Sequence, residues 1–292
     1  MYKVVKRKQL TPSSFMMRVH APNVSKNCEP GQFIICRTRE DSERIPLTIA
    51  DYDREKETVD IVVQAIGAST NEMSELNEGD YFNDFVGPLG NPSDLIEKSI
   101  DELKKMNILF IAGGVGSAPV YPQVKWLHDH GVDCDVILGA RTKDLLTYED
   151  DLREVATNLY VCTDDGSYGE TGNVTVVLRR LVAEGKKYDH AVAIGPLIMM
   201  KFAVLTCKEL DIPVIVSMNS IMVDGTGMCG ACRLTVGSEM KFACVDGPEF
   251  DGTLVDWDEA LSRQNIYKNE EMAIINREEY RKTHKCSCGG SC

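Results

Sequence analysis

Three cysteines in the last third of the chain have a spacing that is typical of metal and cluster sites. Cys229 and Cys232 are separated by two residues, and Cys244 follows after eleven more, within the stretch VDGTGMCGACRLTVGSEMKFACVDG. Thiolates are preferred ligands of zinc and of iron–sulfur clusters, and both kinds of site use four ligands. Three cysteines are one ligand short, so the spacing predicts a metal centre whose fourth ligand is another side chain.

A glycine-rich turn follows a strongly apolar segment in the middle of the chain. Residues 108–112 are followed by GGVGSAP, which places Gly114, Gly116 and Pro119 at the start of a helix-like stretch. Glycines let the backbone approach a pyrophosphate closely, and the N–H groups at the start of the helix then face the anion. The third position is proline, and no acidic residue stands clearly at the end of the next strand, so the dinucleotide fingerprint is incomplete. The turn favours a nucleotide site, and a turn without a nucleotide is the alternative.

These residues need a scaffold with two kinds of domain. Residues 1–98 contain β-branched and aromatic segments such as GQFIICRTR, ETVDIVVQAIG and YFNDFVGPLG, edged by glycine or proline, which predicts a small antiparallel β-barrel. In residues 99–219 strand-like and helix-like segments alternate, which predicts an α/β domain with a doubly wound parallel sheet. Residues 220–265 are predicted to form the cysteine module, and residues 266–292 a helix-prone C-terminal tail.

Composition argues against several classes of protein. The chain has 292 residues, a formal net charge of −13 and 43% hydrophobic residues. An acidic balance argues against nucleic acid and anionic membranes as partners, because both attract basic faces. No apolar run approaches the about 18–20 residues of a membrane span, and the N-terminus lacks the apolar region of a signal peptide. With eleven cysteines and no export signal, we expect a cytoplasmic protein whose cysteines are reduced thiols and metal ligands.

Several motifs occur together in a specific order. The β-rich part carries RIPLT and GAST, the α/β part carries GGVGSAP, TDDGSYGETG and GPLIMMK, and the cysteine segment comes last. Residues 1–265 resemble the ferredoxin–NADP reductase superfamily. They are most similar to the iron–sulfur flavoprotein subunits grouped with the electron-transfer subunit of dihydroorotate dehydrogenase. The resemblance implies three cofactors, namely FAD, NAD(H) and a [2Fe–2S] cluster.

In this superfamily an arginine and a hydroxyl residue on one barrel strand bind FAD. By resemblance Arg44 would meet the pyrophosphate, and Thr48 would lie near flavin N5 as the expected catalytic residue. Pro46 and Leu47 would lie along the flavin between them. The resemblance assigns further FAD contacts to the next strand and to the GAST turn, at Val62, Val63, Gln64, Gly67, Ser69 and Thr70. For the GAST turn, a helix cap made by a hydroxyl side chain is the alternative.

The same resemblance implies a site for the nicotinamide nucleotide in the α/β domain. The residues assigned to it are Gly114, Gly116, Ala140, Arg141, Asp164, Gly166, Gly195 and Met199. Asp164 and Asp165 have an equally plain alternative role in shaping the turn before Gly166. Apart from Arg141 no clear arginine cluster is present for a 2′-phosphate, so NAD is preferred over NADP.

The resemblance also supplies a candidate for the fourth metal ligand. Relatives with a dihydroorotate dehydrogenase role usually have a cysteine five positions before the C-x2-C pair, where this chain has Asp224. A carboxylate is a harder donor than a thiolate and can ligate ferric iron. The expected ligands of the [2Fe–2S] cluster are then Asp224, Cys229, Cys232 and Cys244. A zinc site built on the three cysteines, and a turn role for Asp224 with the ligand elsewhere, are the alternatives.

The aspartate is associated with the small subunits of NADH-dependent reduced ferredoxin:NADP oxidoreductases, which are flavin-based bifurcating enzymes. This resemblance implies an electron-transfer subunit that links NAD(H), FAD and the [2Fe–2S] cluster to a partner. The expected partner is a larger flavin and [4Fe–4S] subunit that resembles the small subunit of glutamate synthase. That partner would bind NADPH and ferredoxin.

Other functions remain compatible with these residues. One is the electron-transfer subunit of an NAD-dependent dihydroorotate dehydrogenase, and another is a sulfide- or hydrogenase-linked diaphorase subunit. A non-catalytic flavin-binding regulator with a structural zinc site is the alternative outside enzymes. The terminal cysteines Cys286, Cys288 and Cys292 are expected to have no defined role, with a partner or metal contact as the alternative.

Overall fold

The first part of the chain forms an antiparallel sheet that is nearly closed into a barrel. The structure is a computed structural model that describes the backbone of residues 2–283 and the side chains of residues 2–276. The strands are β1 (Tyr2–Gln9), β2 (Ser14–His20), β3 (Phe33–Arg37), β4 (Ile45–Asp53), β5 (Thr58–Gln64), β6 (Tyr81–Phe82) and β7 (Asp84–Leu89). Their order in the sheet is β6-β1-β2-β5-β4-β3-β7. The two end strands are separated in sequence by Asn83 alone, which brings the edges of the sheet together.

The second part is a three-layer α/β domain. Its parallel strands are β8 (Ile108–Gly113), β9 (Cys134–Ala140), β10 (Asn158–Thr163), β11 (Glu170–Thr171), β12 (His190–Ile194) and β13 (Val214–Ser217). The sheet order begins β11-β10-β9-β8-β12-β13. Strands β9 to β11 are added on one side of β8 and strands β12 and β13 on the other, so the strand order reverses between β8 and β12. Ligands bind at such a switch point in doubly wound sheets, beyond the carboxyl ends of the strands.

The third part contributes a hairpin and one strand of the second sheet. The hairpin consists of β14 (Arg233–Val236) and β15 (Glu239–Phe242), and β16 (Glu249–Asp251) pairs antiparallel with β13. The predicted cysteine module is therefore continuous with the nucleotide domain through β16. The boundaries proposed for residues 1–98, 99–219, 220–265 and 266–292 stay predictions.

Nine α-helices occur within residues 2–283, together with short 3₁₀ turns at Asp94–Glu97, Gly114–Gly116 and Lys143–Leu145. The helices are α1 (Pro22–Asn27), α2 (Ala68–Ser74), α3 (Ile100–Leu103), α4 (Ser117–Asp129), α5 (Glu149–Val155), α6 (Val174–Ala183), α7 (Leu197–Glu209), α8 (Trp257–Gln264) and α9 (Lys268–Thr283). Across this same range, none of the helices combines the length and the apolar character needed to cross a membrane. The terminal cysteines Cys286, Cys288 and Cys292 lie outside the described residues.

Separate hydrophobic cores stabilise the parts of the molecule. Alternate residues of β2 and β5, including Phe15, Met17 and Ile61, are buried inside the barrel. The parallel strands are instead buried on both faces, so β8 is a continuous apolar run, as expected for a sheet covered by helices. The core on one side of this sheet continues into the cysteine module and includes Cys232 and Cys244. The cysteine loop is therefore fixed to the nucleotide domain by shared apolar packing.

Candidate functional site

One cleft lies where the barrel, the α/β domain and the start of the cysteine module meet. Its volume is about 470 Å³, which is within the usual range for small-molecule sites. The predicted residues that line it are Pro46, Leu47, Thr48, Val62, Gln64, Thr70, Gly116 and Gly195. The structure thus brings predicted flavin contacts and predicted nucleotide contacts to one space.

The barrel contributes one wall of this cleft through β4 and β5. Thr48 pairs with Phe33 of the neighbouring strand, and both side chains line the cleft. Within the described residues, the Thr48 hydroxyl has no hydrogen-bond partner in the protein, so it is available to a bound group. On β5, Val62 and Gln64 line the cleft, whereas Val63 is 1% exposed and points into the barrel core. A cofactor contact by the Val63 side chain is not supported by this arrangement.

Arg44 contacts the cysteine module. Its Nε donates a hydrogen bond of 2.6 Å to the carbonyl oxygen of Val223, and its Nη1 lies 3.6 Å from the carboxylate of Asp84. The guanidinium therefore links the start of β4 to the residue directly before Asp224. The predicted contact of Arg44 with a pyrophosphate stays a prediction.

The GAST turn begins helix α2 at Gly67. The Thr70 hydroxyl oxygen accepts hydrogen bonds from the N–H groups of Ile66 at 3.1 Å and Gly67 at 3.0 Å. The Ser69 hydroxyl donates to Glu43. Thr70 therefore has the helix-capping role that was the alternative for this turn. A role of Gly67, Ser69 and Thr70 in binding phosphates stays a prediction.

The glycines of the nucleotide domain allow β8, β12 and the turn before α4 to approach closely. Gly114 has φ +55°, in the left-handed region that favours glycine. A Cβ at Gly116 would collide with the carbonyl oxygen of Ile194, and a Cβ at Gly195 would collide with the Met199 side chain. The turn therefore lies directly against the end of β12, at the switch point of the sheet.

The remaining predicted nucleotide residues lie at the same carboxyl edge, outside the lining of the cleft. Ala140 ends β9 and Arg141 follows it. Asp164 follows β10, and its N–H donates to the Ala140 carbonyl at 3.0 Å. The carboxylate of Asp165 accepts a hydrogen bond of 3.0 Å from the Ser167 N–H. Asp165 therefore shapes the turn, as the alternative reading proposed. Gly166 has φ +72° in that turn.

The three cysteines of the module do not have equivalent surroundings. Cys232 and Cys244 are each 2% exposed, and their Sγ atoms lie 3.3 Å apart. Two thiolates on one tetrahedral metal lie about 3.8 Å apart when the metal–sulfur distance is about 2.3 Å. Burial, followed by the neighbouring Cys232, raises the pKa of Cys244 to about 12. Both groups could be thiolates at the same time only beside a cation, which a bound metal would supply.

Asp224 and Cys229 form the other side of this loop. The Asp224 carboxylate accepts backbone hydrogen bonds from Thr226 at 3.0 Å, Met228 at 3.1 Å and Cys229 at 2.9 Å. These bonds, with Thr226 contributing most, lower the pKa of Asp224 below its ordinary value. Asp224 is therefore an ionised carboxylate beside Cys229, with the turn role that was one alternative for it.

Asp224 and the three cysteines form two pairs of neighbouring candidate ligands. Within residues 2–276, no three or more histidine, cysteine or acidic side chains converge on one point that would hold a metal ion. Cys232 and Cys244 form one pair, and Asp224 and Cys229 are held together by their backbone contact as the other. Two pairs of ligands are what a cluster with two irons needs. The four residues therefore fit a [2Fe–2S] cluster, whose ligation by them stays a prediction.

Two segments of the chain match known protein families. Residues 219–256 match the family described as the iron-sulfur cluster binding domain of dihydroorotate dehydrogenase B, and residues 110–204 match the oxidoreductase NAD-binding domain. The chain is 47% identical over 280 residues to a Thermotoga maritima protein described as a dihydroorotate dehydrogenase B (NAD(+)), electron transfer subunit homolog. That similarity covers 96% of this chain and 95% of the relative. This chain belongs to the family of dihydroorotate dehydrogenase B electron transfer subunits and their homologues.

Two further similarities extend over the whole chain. A Clostridium beijerinckii protein, described by its position in the adh 3′ region, is 59% identical over 294 residues, with 99% of both chains covered. One chain of a solved structure of the NADH-dependent reduced ferredoxin-NADP oxidoreductase is 43% identical, with a TM-score of 0.86. The similarity covers 95% of this chain and 97% of that chain.

Membership of this family confirms the prediction of a redox enzyme subunit with a ferredoxin reductase-like fold. The predicted β-barrel, parallel α/β domain and C-terminal iron–sulfur module are all observed. The cofactor prediction of FAD, NAD(H) and an iron–sulfur cluster agrees with the matched domains and with this fold.

Several residues of the cleft were missed by sequence reasoning. Asn219, Ser220 and Met222 line the cleft directly after β13. They could have been predicted from the sequence, because residues that follow parallel strands at the carboxyl edge of a sheet commonly contact ligands. Phe33 and Gln264 reach the same cleft from β3 and from α8. For these two residues no local motif gives a signal.

Proposed function

We propose that this chain is the NAD(H)-binding small subunit of an enzyme of the NADH-dependent reduced ferredoxin–NADP oxidoreductase type. It transfers electrons between NAD(H), FAD, a [2Fe–2S] cluster and a larger partner subunit. The observation that carries this proposal is Asp224, an ionised carboxylate held beside Cys229 at the position where dihydroorotate dehydrogenase relatives usually have cysteine. The extensive similarity to the solved oxidoreductase chain supports the same proposal.

The residues of the cleft have distinct tasks in this proposal. Thr48 offers a hydroxyl without a protein partner to the flavin ring, and Pro46 and Leu47 form the apolar surface beside it. Gly116 and Gly195 line the cleft from the α/β domain, where the nicotinamide would bind, and their lack of side chains lets the turn before α4 pack against the end of β12. When bound, FAD would exchange a hydride with the nicotinamide and single electrons with the cluster. The protein contributes to this chemistry by fixing the distance and orientation of the two rings.

The cysteine loop provides a short connection from this cleft to the surface. Met222 lines the cleft, whereas Cys229 is exposed and the neighbouring Met228 is 84% exposed. The cluster would therefore lie between the flavin cleft and a surface that is open to another protein. This arrangement supports electron exchange with a partner on that side of the module.

The proposed partner is a larger flavin and [4Fe–4S] subunit that resembles the small subunit of glutamate synthase and binds NADPH and ferredoxin. Bifurcation would then depend on the flavin of that partner. The second candidate is an electron transfer subunit of dihydroorotate dehydrogenase, favoured by the name of the Thermotoga maritima relative. In that case electrons would pass from dihydroorotate through a catalytic partner to NAD.

The substitution Asp224→Cys tests the proposed ligand set. The variant is expected to keep about two irons per chain but to change the EPR spectrum and the reduction potential of the cluster, because a thiolate donates more electron density than a carboxylate. Asp246→Asn is a suitable control, because its carboxylate lies in the same module and accepts a hydrogen bond from the Phe242 N–H. An unchanged spectrum and potential in Asp224→Cys would remove Asp224 from the ligands.

The partner is tested by reconstitution. The purified chain is mixed with a glutamate synthase-like flavin subunit or with a dihydroorotate dehydrogenase catalytic subunit, and NAD reduction is followed. The proposal expects NAD reduction when NADPH and oxidised ferredoxin are supplied with the first partner, because two NADPH then pass two electrons to NAD and one electron to each of two ferredoxins. Reduction of NAD by dihydroorotate with the second partner alone would support the second candidate.

A further inference from the structure

Two arginines donate hydrogen bonds to consecutive carbonyl groups of the cysteine loop. Arg233 Nη1 lies 3.1 Å from the Gly230 carbonyl oxygen, and Arg263 Nη2 lies 3.0 Å from the Ala231 carbonyl oxygen. Both arginines line a cavity of about 270 Å³ that is also lined by Cys229. Arg233 belongs to β14 and Arg263 belongs to α8, so two different elements hold the segment between Cys229 and Cys232.

The peptide group between Gly230 and Ala231 connects Arg233 to a cysteine sulfur. Its carbonyl oxygen accepts a hydrogen bond from the Arg233 guanidinium. Its N–H, which belongs to Ala231, donates a hydrogen bond to the Sγ of Cys229 at 3.5 Å. Gly230 has φ +69°, and this left-handed conformation orients the peptide so that both contacts are made. A cation at the carbonyl end of a peptide polarises its N–H, which strengthens the bond to the sulfur.

We propose that Arg233 is a positioning residue that acts through the Gly230–Ala231 peptide on the Cys229 thiolate and raises the reduction potential of the iron–sulfur cluster. This inference rests on the cluster of the proposed function. Reduction adds negative charge to a cluster, and both a nearby cation and a stronger N–H···S bond stabilise the more negative state. Arg263 holds the following peptide and keeps the segment in place.

Neither Arg233 nor Arg263 forms a close ion pair with an acidic side chain among the described residues. Among the ion pairs of the described side chains, none involves Arg233 or Arg263. Lys241, on the other strand of the same hairpin, is instead paired with Glu239 at 2.6 Å. In a chain with a formal net charge of −13, two arginines without acidic partners beside one cysteine are a local source of positive potential.

The test compares reduction potentials of the full-length chain by EPR-monitored titration at low ionic strength, where an exposed charge is screened least. Arg233→Gln removes the charge and is expected to lower the ratio of reduced to oxidised cluster about threefold at a fixed potential. This change corresponds to about 28 mV, since tenfold is about 59 mV for one electron. Lys241→Gln makes the same change of net charge on the same hairpin and is expected to leave the ratio unchanged. An equal ratio in Arg233→Gln and the natural chain, or an equal fall in both variants, would overturn the proposal.

If Arg233→Gln loses its iron, a second variant shows whether the lost charge is the cause. Arg233→Lys keeps the charge, so recovery of iron and of the natural potential supports the proposal. Loss of iron from both variants means that the charge is not what matters at this position, and the proposal is then wrong. Iron and sulfide analysis of the natural chain separates the two proposals: a chain without a cluster overturns both, whereas an unshifted potential in an intact cluster overturns only the role of Arg233.

Discussion

The hydroxyl of Thr48 lines the cleft in which we propose that the flavin binds. It lies on β4, lines the cleft and has no hydrogen-bond partner among the described residues, while Pro46 and Leu47 beside it are apolar. A hydroxyl without a protein partner can bind a cofactor atom in exchange for water, and no internal hydrogen bond must first break.

We therefore expect Thr48→Ala to slow flavin reduction by NADH about tenfold, as loss of one hydrogen bond of about 1.4 kcal/mol predicts. FAD content should fall little, since the rest of the cleft is unchanged. Stopped-flow absorbance measures the rate, and Thr48→Ser, which keeps the hydroxyl, is the matched control. Equal rates in the alanine variant and the natural chain would show that Thr48 is not beside the reacting atoms.

Arg44 and Asp224 show what sequence reasoning identifies at the residue scale and what it misses. The types and spacing of Cys229, Cys232 and Cys244 predict a metal site, and the family resemblance adds Asp224 as a predicted ligand. The contact between Arg44 and Val223 joins residues of different domains. No local pattern predicts this contact, because it depends on how the barrel packs against the module.

At the scale of elements, the cysteine loop lies close against the barrel because one of its residues, Gly225, has no side chain. Gly225 has φ +79°, and a Cβ there would lie 2.7 Å from Cδ1 of Ile35 and 2.8 Å from Cδ1 of Leu89. These side chains belong to β3 and β7, so the loop that begins at Asp224 packs directly on the barrel wall. In the proposed function, this close approach would help to set the distance between the flavin and the cluster.

Gly225→Ala is expected to move the loop away from the barrel, to lower the free energy of unfolding by about 1–3 kcal/mol and to slow electron transfer from flavin to cluster. Gly237→Ala is the control, because Gly237 has φ +63° but no atom within 4 Å of its Cβ position. Thermal unfolding and rapid-freeze EPR measure the two effects. If both variants behave alike, backbone strain rather than contact with the barrel explains the loss.

The elements were more predictable than their connections. Alternation of strands and helices in residues 99–219 predicts the parallel sheet, because buried parallel strands are continuous apolar runs between helices. The short strand β16 was not predicted, since three residues carry too little pattern to indicate a partner. Its pairing with β13 is decided by tertiary packing of the cysteine module.

At the scale of the whole molecule, Glu249 joins three parts of the chain. Its carboxylate accepts hydrogen bonds from Ser93 Oγ at 2.9 Å and from Gln123 Nε2 at 2.7 Å. Ser93 lies between the barrel and the nucleotide domain, Gln123 belongs to α4, and Glu249 itself begins β16. Burial, followed by the nearby Asp94 carboxylate, raises the pKa of Glu249 to about 7.

A raised pKa means that the folded protein holds the Glu249 proton more tightly than the unfolded chain does. The resulting contribution to stability is fully present below the ordinary pKa of 4.5 and is lost as the pH rises toward about 7. We expect Glu249→Gln, which stays neutral, to unfold with a weaker dependence on pH over this window. Chemical denaturation at several pH values measures the difference. The same slope in both proteins would mean that Glu249 does not titrate in this range.

The electron path through the chain is tested most directly by an anaerobic titration of the purified protein with NADH. Absorbance and EPR are recorded together, with iron, sulfide and zinc analysis and with dithionite reduction as a control. The account predicts bleaching of a bound flavin, a reduced [2Fe–2S] signal from NADH or dithionite, and about two irons per chain. Zinc in place of iron, or a protein that binds no flavin, would contradict it.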